Sequence, residues 1–432
     1  MTPTAPGRTR AALLALTTSC ALLLSACGSG SAQSGQEQSL DVLSWWTSTS
    51  EKAAFEHLID SFLADHPGVD VHDSTVVGSA GSNAQVVLAS RLAAGDPPDV
   101  WQSMSGQSVA AWARSGAVAD VSDLFTPQVS AALPPEVLDA VSVDGRQYAV
   151  PTSVHRANVL FYNTDVLAKA GVAVPGADYT LDQFKADLDT VAASGTTPLC
   201  LGRADAVGAA GLFEDVLLGE VGQEGWSSIA ADRFDWDGEG AHRALSDFST
   251  LLDHVSPQAG SWTWDQAASH LVAGDCAFDQ MNDSALGEMT AQDRQGAQAV
   301  GSTAFPGTGD VYLGVIDTFV QSSRAVDPVN ASAFQSTVLD PRVQTEFSSR
   351  KGSVPVRLDA DVSGLSPAQQ LSADDLRQRP LLLSIAYGEL VSPAFQQGFF
   401  DAVDTFVEGR DPSTFVTVLS ARINEGVAPP PR

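Results

Sequence analysis

Between Leu40 and Trp101 the hydrophobic pattern switches repeatedly between the period of a strand and that of a helix, and this alternation constrains the fold of the 432-residue chain more than any other feature. Leu40-Asp41-Val42-Leu43-Ser44 reads as a short apolar strand. Ser48 and Glu51 then have capping-box spacing ahead of Phe55, Leu58, Ile59 and Phe62, an apolar face at helical period. Val69 to Val77 is the next strand, Asn83 to Ala94 the next helix, and Asp99-Val100-Trp101 a strand after the turn Asp96-Pro97-Pro98. Strand, helix, strand, helix, strand is the rhythm of a parallel α/β sheet. It returns later, with a strand at Asn158 to Tyr162 and a helix at Asp165 to Ala170. Thr180 and Gln183 have cap spacing before Phe184, Leu188 and Val191. Leu245, Phe248, Leu251 and Leu252 mark a further helix, and Ser392-Pro393 opens the last helical region. Two irregular strips, 150–153 and 305–309, interrupt the alternation. In a two-lobed molecule they are the places for the chain to cross between lobes.

Charge narrows the function. The chain carries 23 Lys and Arg against 52 Asp and Glu, a formal net charge of −29. Phosphate backbones and anionic lipid surfaces would repel it, so nucleic acid is excluded as a partner. Phosphate-rich substrates fit poorly too, the lysines being only Lys52, Lys169, Lys185 and Lys351.

The N-terminus reads as an export signal. Arg8 and Arg10 precede an apolar run from Ala11 to Leu24, too short to span a bilayer of about 30 Å as a helix. Leu24-Ser25-Ala26-Cys27 resembles the bacterial lipobox. It implies a signal peptide over 1–26, lipidation of Cys27, and a flexible tether over 27–39 that holds the body at the outer face of the cytoplasmic membrane. Cys20 leaves with the signal, so Cys200 and Cys276 remain, both in short apolar runs that read as strand ends. In an oxidising compartment a disulfide is the expectation, with two buried free thiols the alternative. Neither cysteine has partners at metal-ligand spacing, and no metal or cofactor is expected.

Catalytic signatures are missing: the sequence has no His-Glu-x-x-His, no Gly-x-Ser-x-Gly and no phosphate-cradling glycine loop. Asp235-Trp236-Asp237-Gly238-Glu239 imitates the start of a calcium loop but lacks its later ligands, and reads instead as a turn capping the helix near Glu239. The tandem Trp45-Trp46 is more informative. It follows the first strand, at the end where open α/β sheets place their ligands. Adjacent side chains there point in opposite directions, so one indole can fill core while the other faces a crevice. An indole offers a flat apolar face to a sugar ring and an N–H to a hydroxyl. Read from the residues alone, two core tryptophans fit equally well.

Leu43-Ser44-Trp45-Trp46-Thr47-Ser48 followed by Glu51 resembles the opening of glucose/mannose-type solute-binding proteins of carbohydrate ABC transporters (extracellular solute-binding protein family 1). Leu92 to Gln102, Tyr148 to Pro151, His155 to Leu160, Trp264 to Ala268, Ala304 to Thr308, Ile316-Asp317-Thr318 and Lys351-Gly352-Ser353 continue the resemblance in the same order. It covers nearly all of the chain after the signal. It implies a two-lobed α/β fold of the periplasmic-binding-protein kind with several crossover strands and a ligand cleft between the lobes. Lobe one would take 38–151 and 306–357, and lobe two 152–305 and 358–432.

On the same resemblance Trp46, with Trp45 beside it, lines the cleft as the stacking platform. Glu51, Gln102, Asp317 and Lys351 bond hydroxyls, His155 and Trp264 face them, and Asp283 and Tyr387 complete the ligand set. Without that pattern Asp317 would fit a strand-end cap, Lys351 an exposed helix-end cation, His155 a structural histidine and Trp264 a helix anchor. Departures from the pattern are Met104, where glucose binders carry a histidine, Ser284 in place of an aromatic, and Tyr387 in place of a histidine. Tyrosine can still donate to a hydroxyl; methionine cannot. The implied function is a lipid-anchored, monomeric, non-enzymatic receptor that delivers a monosaccharide to the membrane permease of an ABC importer. An exported glycoside hydrolase and a receptor for an oligosaccharide or polyol are the alternatives.

Overall fold

A computed structural model describes residues 39–77 and 81–426. The expected signal peptide, Cys27 and the expected tether up to residue 38 lie outside the described residues, whereas Ser39, expected in the tether, is the first residue of a strand. The strands are β1 (Ser39–Leu43), β2 (Asp70–Asp73), β3 (Val100–Met104), β4 (Ser142–Val143), β5 (Arg146–Gln147), β6 (Val150–Arg156), β7 (Val159–Asn163), β8 (Thr197–Cys200), β9 (Cys276–Gln280), β10 (Val300–Ala304), β11 (Tyr312–Gln321), β12 (Val354–Pro355) and β13 (Leu381–Leu383). They form a large sheet in the order β12-β6-β11-β3-β1-β2, with β13 on β11, a smaller sheet β10-β7-β9-β8, and the hairpin β4-β5. The molecule is the two-lobed α/β fold expected, one lobe on each main sheet.

The opening rhythm is realised as written. β1 pairs in parallel with both β2 and β3, and helices Thr49–Asp65 and Ser82–Ala94 make the two crossovers. The Ser48–Glu51 capping box is present, and Gly95, at φ 77°, ends the second helix in the left-handed conformation that glycine adopts without strain. Phe55, Leu58 and Phe62 bury the first helix against Leu40 and Val42 of β1. β2 is shorter than the expected 69–77 strand, because its residues are mostly polar and exposed at the sheet edge.

The strip at 150–153 is not irregular. It is the first half of β6, whose seven residues are all buried, so both faces are covered and no alternation marks the strand. β6 pairs with β11 and β12, which keeps 152–156 in the large sheet rather than in lobe two. Residues 358–383, also expected in lobe two, lie with the large sheet as well. Ala373 and Leu376 of helix Pro367–Gln378 pack against Val354, and β13 pairs with β11. The crossings therefore fall at 157–158, 305–311 and after Leu383. Asn158 ties the first two together: its Nδ2 donates to Thr308 O, Thr308 Oγ1 and Val311 O, and its Oδ1 accepts from Leu313 N.

The second lobe closes on its own core, where Phe213, Phe248, Phe399, Phe406 and Phe415 from four helices meet over the small sheet. β8 and β9 run parallel as neighbours, and Cys200 and Cys276 are joined across them with 5.6 Å between Cα atoms. Asp235 O and Oδ1 accept from Gly238 N and Asp237 N, so that segment is the expected turn before helix Glu239–Leu252. Among the described residues no helix is long and apolar enough to cross a membrane.

Candidate ligand-binding site

Where β1 ends, Ser44 and Trp45 are anchored to Gln102 on β3. Gln102 Oε1 accepts from Ser44 Oγ at 2.8 Å and from Trp45 N at 3.2 Å. The two indoles then part, as alternation requires, but with roles shifted from the expectation. Trp46 is 2% exposed and packs against the rings of Phe55, Phe319 and Phe347, so most of its surface is core and only part reaches the cavity between the lobes. Trp45 is half-buried and offers the more open face.

The charged part of the site comes from long-range pairing. β6 and β11 lie side by side and bring His155 and Asp317 together, with a register shift in their pairing at Asp317/Thr318. His155 Nε2 lies 3.1 Å from Asp317 Oδ2, and its Nδ1 lies 2.6 Å from Asp283 Oδ1 and 3.3 Å from Ser284 Oγ. Gln102 Nε2 approaches Asp317 Oδ1 at 3.5 Å. Burial and the Lys351 charge both oppose an imidazolium here. The charge and hydrogen bond of Asp283, with the hydrogen bond of Asp317, outweigh them and raise the His155 pKa. For Asp317, burial pushes the pKa up, but the bond to His155 and the positive charges of His155 and Lys351 win and hold it below its ordinary value.

Lys351 is the last residue of helix Pro341–Lys351, yet it is buried rather than an exposed helix-end cation. Gly352, at φ 92°, allows this. A Cβ there would stand 2.4 Å from Asp283 O, so only glycine lets the helix end approach so closely. The ammonium donates to Glu51 Oε1 at 3.0 Å and to Ser284 Oγ at 3.2 Å, and sits 5.6 Å from the centre of the Trp46 ring.

These groups converge on a cavity of about 260 Å³ between the two sheets. Trp45, Trp46, Glu51, His155, Trp264, Asp317, Lys351 and Tyr387 line it. Gln102 and Asp283 do not; they stand behind Asp317 and His155 and hold them in place. Asp283 also accepts from Arg156 N, which fixes the carboxylate at the crossing. Tyr387 receives a hydrogen bond from Asn282 Nδ2 at 2.8 Å. The turn that carries it is held by buried Glu214, whose carboxylate accepts from Ser384 Oγ, Ile385 N and Ala386 N. Met104 lines the wall without a polar group to offer.

Sequence reading missed Asp205, Thr263, Asp265 and Asn282, which also line the cavity. Only Thr263 and Asp265, flanking Trp264, carried a signal by their position. Among the described residues no group of three or more His, Cys, Asp or Glu side chains could hold a metal ion. The arrangement combines apolar ring faces with carboxylates and donors already oriented by their neighbours. It is suited to binding a polyhydroxylated ring.

Residues 45–345 match the family described as bacterial extracellular solute-binding protein. An uncharacterised ABC transporter extracellular-binding protein of Pyrococcus horikoshii is 28% identical over 396 residues, 91% of this chain and 89% of the relative. A probable sugar-binding periplasmic protein of Mesorhizobium japonicum is 28% identical over 388 residues, 88% of this chain and 91% of the relative. Among solved structures, the bacterial solute receptor AcbH, described with an exclusive preference for β-D-galactopyranose, superposes with a TM-score of 0.79 at 16% identity. That match covers 90% of this chain and 98% of the other.

Proposed function

Because the chain belongs to the bacterial extracellular solute-binding proteins, which are receptors and not enzymes, we propose that it binds a single sugar ring in the inter-sheet cavity and hands it to an ABC importer. The observation that carries this reading is the cavity's composition. Indole faces stand beside Asp317, Glu51 and Lys351, whose orientations are set by His155 and by each other. A cavity of about 260 Å³ has room for one sugar ring, and a monosaccharide of the glucose or mannose type is the ligand this reading takes. The name of the Mesorhizobium relative supports a sugar without saying which.

The ligand would engage the large-sheet wall first, and Trp264 and Tyr387 from the other wall would then favour the closed form. The permease would read that closed shape, and lipid on Cys27 would keep the monomeric receptor at the membrane. A thermal-shift screen with neutral monosaccharides, disaccharides and polyols tests the reading, since excess ligand stabilises the native state. A rise in melting temperature with a hexose is the expected result. A rise with disaccharides alone would replace the monosaccharide by a longer ligand, and no rise with any member would overturn the assignment. Cys27→Ser should move the protein from the membrane fraction to the soluble one.

A further inference from the structure

We propose that Asp205 and Asp265 form a second recognition point at the far end of the cavity, which takes a hydrogen-bond donor group of the sugar, a hydroxyl or an ammonium. The inference rests on the sugar-binding reading and adds to it a residue pair on the second lobe.

Backbone packing sets the pair in place. Segment 202–205 runs against the loop before helix Trp264–Ala273, with Arg203 N donating to Ala259 O and Ala204 N to Trp262 O. Gly202 permits that approach, for a Cβ there would lie 2.6 Å from Trp264 N. Gly208 permits the following turn, where a Cβ would meet Gly202 O at 1.7 Å. Asp205 thus starts helix Ala206–Ala230 beside Trp264 and Asp265.

An aspartate in that position ordinarily turns back to accept from the first amides of its helix. Asp205 does not: its carboxylate makes no cap bond and, among the described residues, no side-chain hydrogen bond. It is only 9% exposed, and it lines the cavity. Partial burial raises the pKa of this carboxylate, and the nearby charge of Asp265 adds to the effect. Asp265 itself is held by Thr263 Oγ1 at 2.5 Å. The cations lining the cavity are engaged elsewhere, Lys351 with Glu51 and His155 with Asp283 and Asp317. What remains for Asp205 is water in the empty cavity and a donor on the ligand in the occupied one.

The test compares wild type, Asp205→Asn and Asp205→Ala by calorimetric titration with matched sugars, glucose against glucosamine and galactose against galactosamine, alongside melting curves without ligand. Asp205→Ala should lose about tenfold or more in affinity for the best sugar, and Asp205→Asn less where the partner is a hydroxyl, because its amide oxygen still accepts. They should also melt at the same or a higher temperature without ligand, because a buried repulsion is relieved. Loss confined to the amino sugar identifies an ammonium as the partner, and loss for the neutral sugar identifies a hydroxyl. Wild-type affinity in both variants overturns the proposal, as does a fall in ligand-free melting temperature with affinity intact. If wild type binds no sugar, the sugar-binding reading itself fails and this inference falls with it, an outcome distinct from sugar binding that the variants leave unchanged.

Discussion

The two walls of the cavity handle buried charge in opposite ways. On the large-sheet side every buried ion that lines the cavity has a counter-ion: Lys351 with Glu51, and His155 with Asp317 and Asp283. The small-sheet lobe behind the other wall buries Glu214, Asp215 and Asp279, which form no salt bridge among the described residues. Among the described residues, Asp215 Oδ1 and both oxygens of Asp279 lack a hydrogen-bond partner, and Glu214 is bonded only by neutral donors. The consequence is a split in protonation. Asp317 is held low, whereas burial pushes Glu214 up to about 7 and Asp279 up to about 8. Glu389, which joins the third crossing to Ser105 and Ile316, is likewise pushed by burial to about 8. A charged partner favours the ionised form; burial without one favours the neutral form.

The largest effect expected from this contrast is on pH. A carboxyl that binds its proton more tightly folded than unfolded contributes stability that is whole below about pH 4 and lost as pH rises through 7 to 8. Each pH step in that window removes about 1.4 kcal/mol per such group. Raised His155 acts in the same direction above its ordinary pKa of 6.5, while depressed Asp317 matters only as pH falls below 3.8. Melting temperatures should therefore drop steadily from pH 5 to 8.5 without ligand, and Asp279→Asn should flatten the decline. A flat wild-type profile would show that the small-sheet acids are ionised after all.

Next in size is the paired wall. Lys351→Met strands Glu51, whose side chain is only 12% exposed, and should cost about 3–5 kcal/mol in denaturant unfolding. Adding Glu51→Gln should recover much of the loss, and failure of that rescue would argue that the pair is not the source. On the small sheet, replacing both Cys200 and Cys276 by serine opens a loop closed over a separation of 76 residues. It should cost about 2–4 kcal/mol, read from the same unfolding curves. Asp317→Ala should show the smallest change, a loss of about 1–3 kcal/mol in sugar affinity by titration calorimetry. It should also bring a lower His155 pKa by NMR, since one of its two carboxylates is gone.

Features written in neighbouring residues were legible. The Ser48–Glu51 box, the strand–helix rhythm up to Trp101 and the opposite headings of Trp45 and Trp46 all follow from spacing over a few positions. Which indole is core was not legible, because Phe319 and Phe347 arrive from distant elements to enclose Trp46. β6 was missed because burial on both faces erases alternation, and with it went the lobe boundary. Asp205 was invisible for a different reason: an aspartate before an apolar helix looks like a cap, and only the close packing allowed by Gly202 and Gly208 shows it facing the cavity.

By itself, then, the sequence determined an acidic α/β body, the order of its opening elements, the pair of cysteines available for a bridge, and the residue types suited to a polyhydroxylated ligand. Tertiary structure alone decided which of those residues meet. His155 and Asp317 are separated by 162 positions and Glu51 and Lys351 by 300, distances over which local propensity carries no information. Contacts of that kind exist only once β6 and β11 have paired and helix Pro341–Lys351 has docked, and charge in a buried site takes its meaning from the partner it finds there.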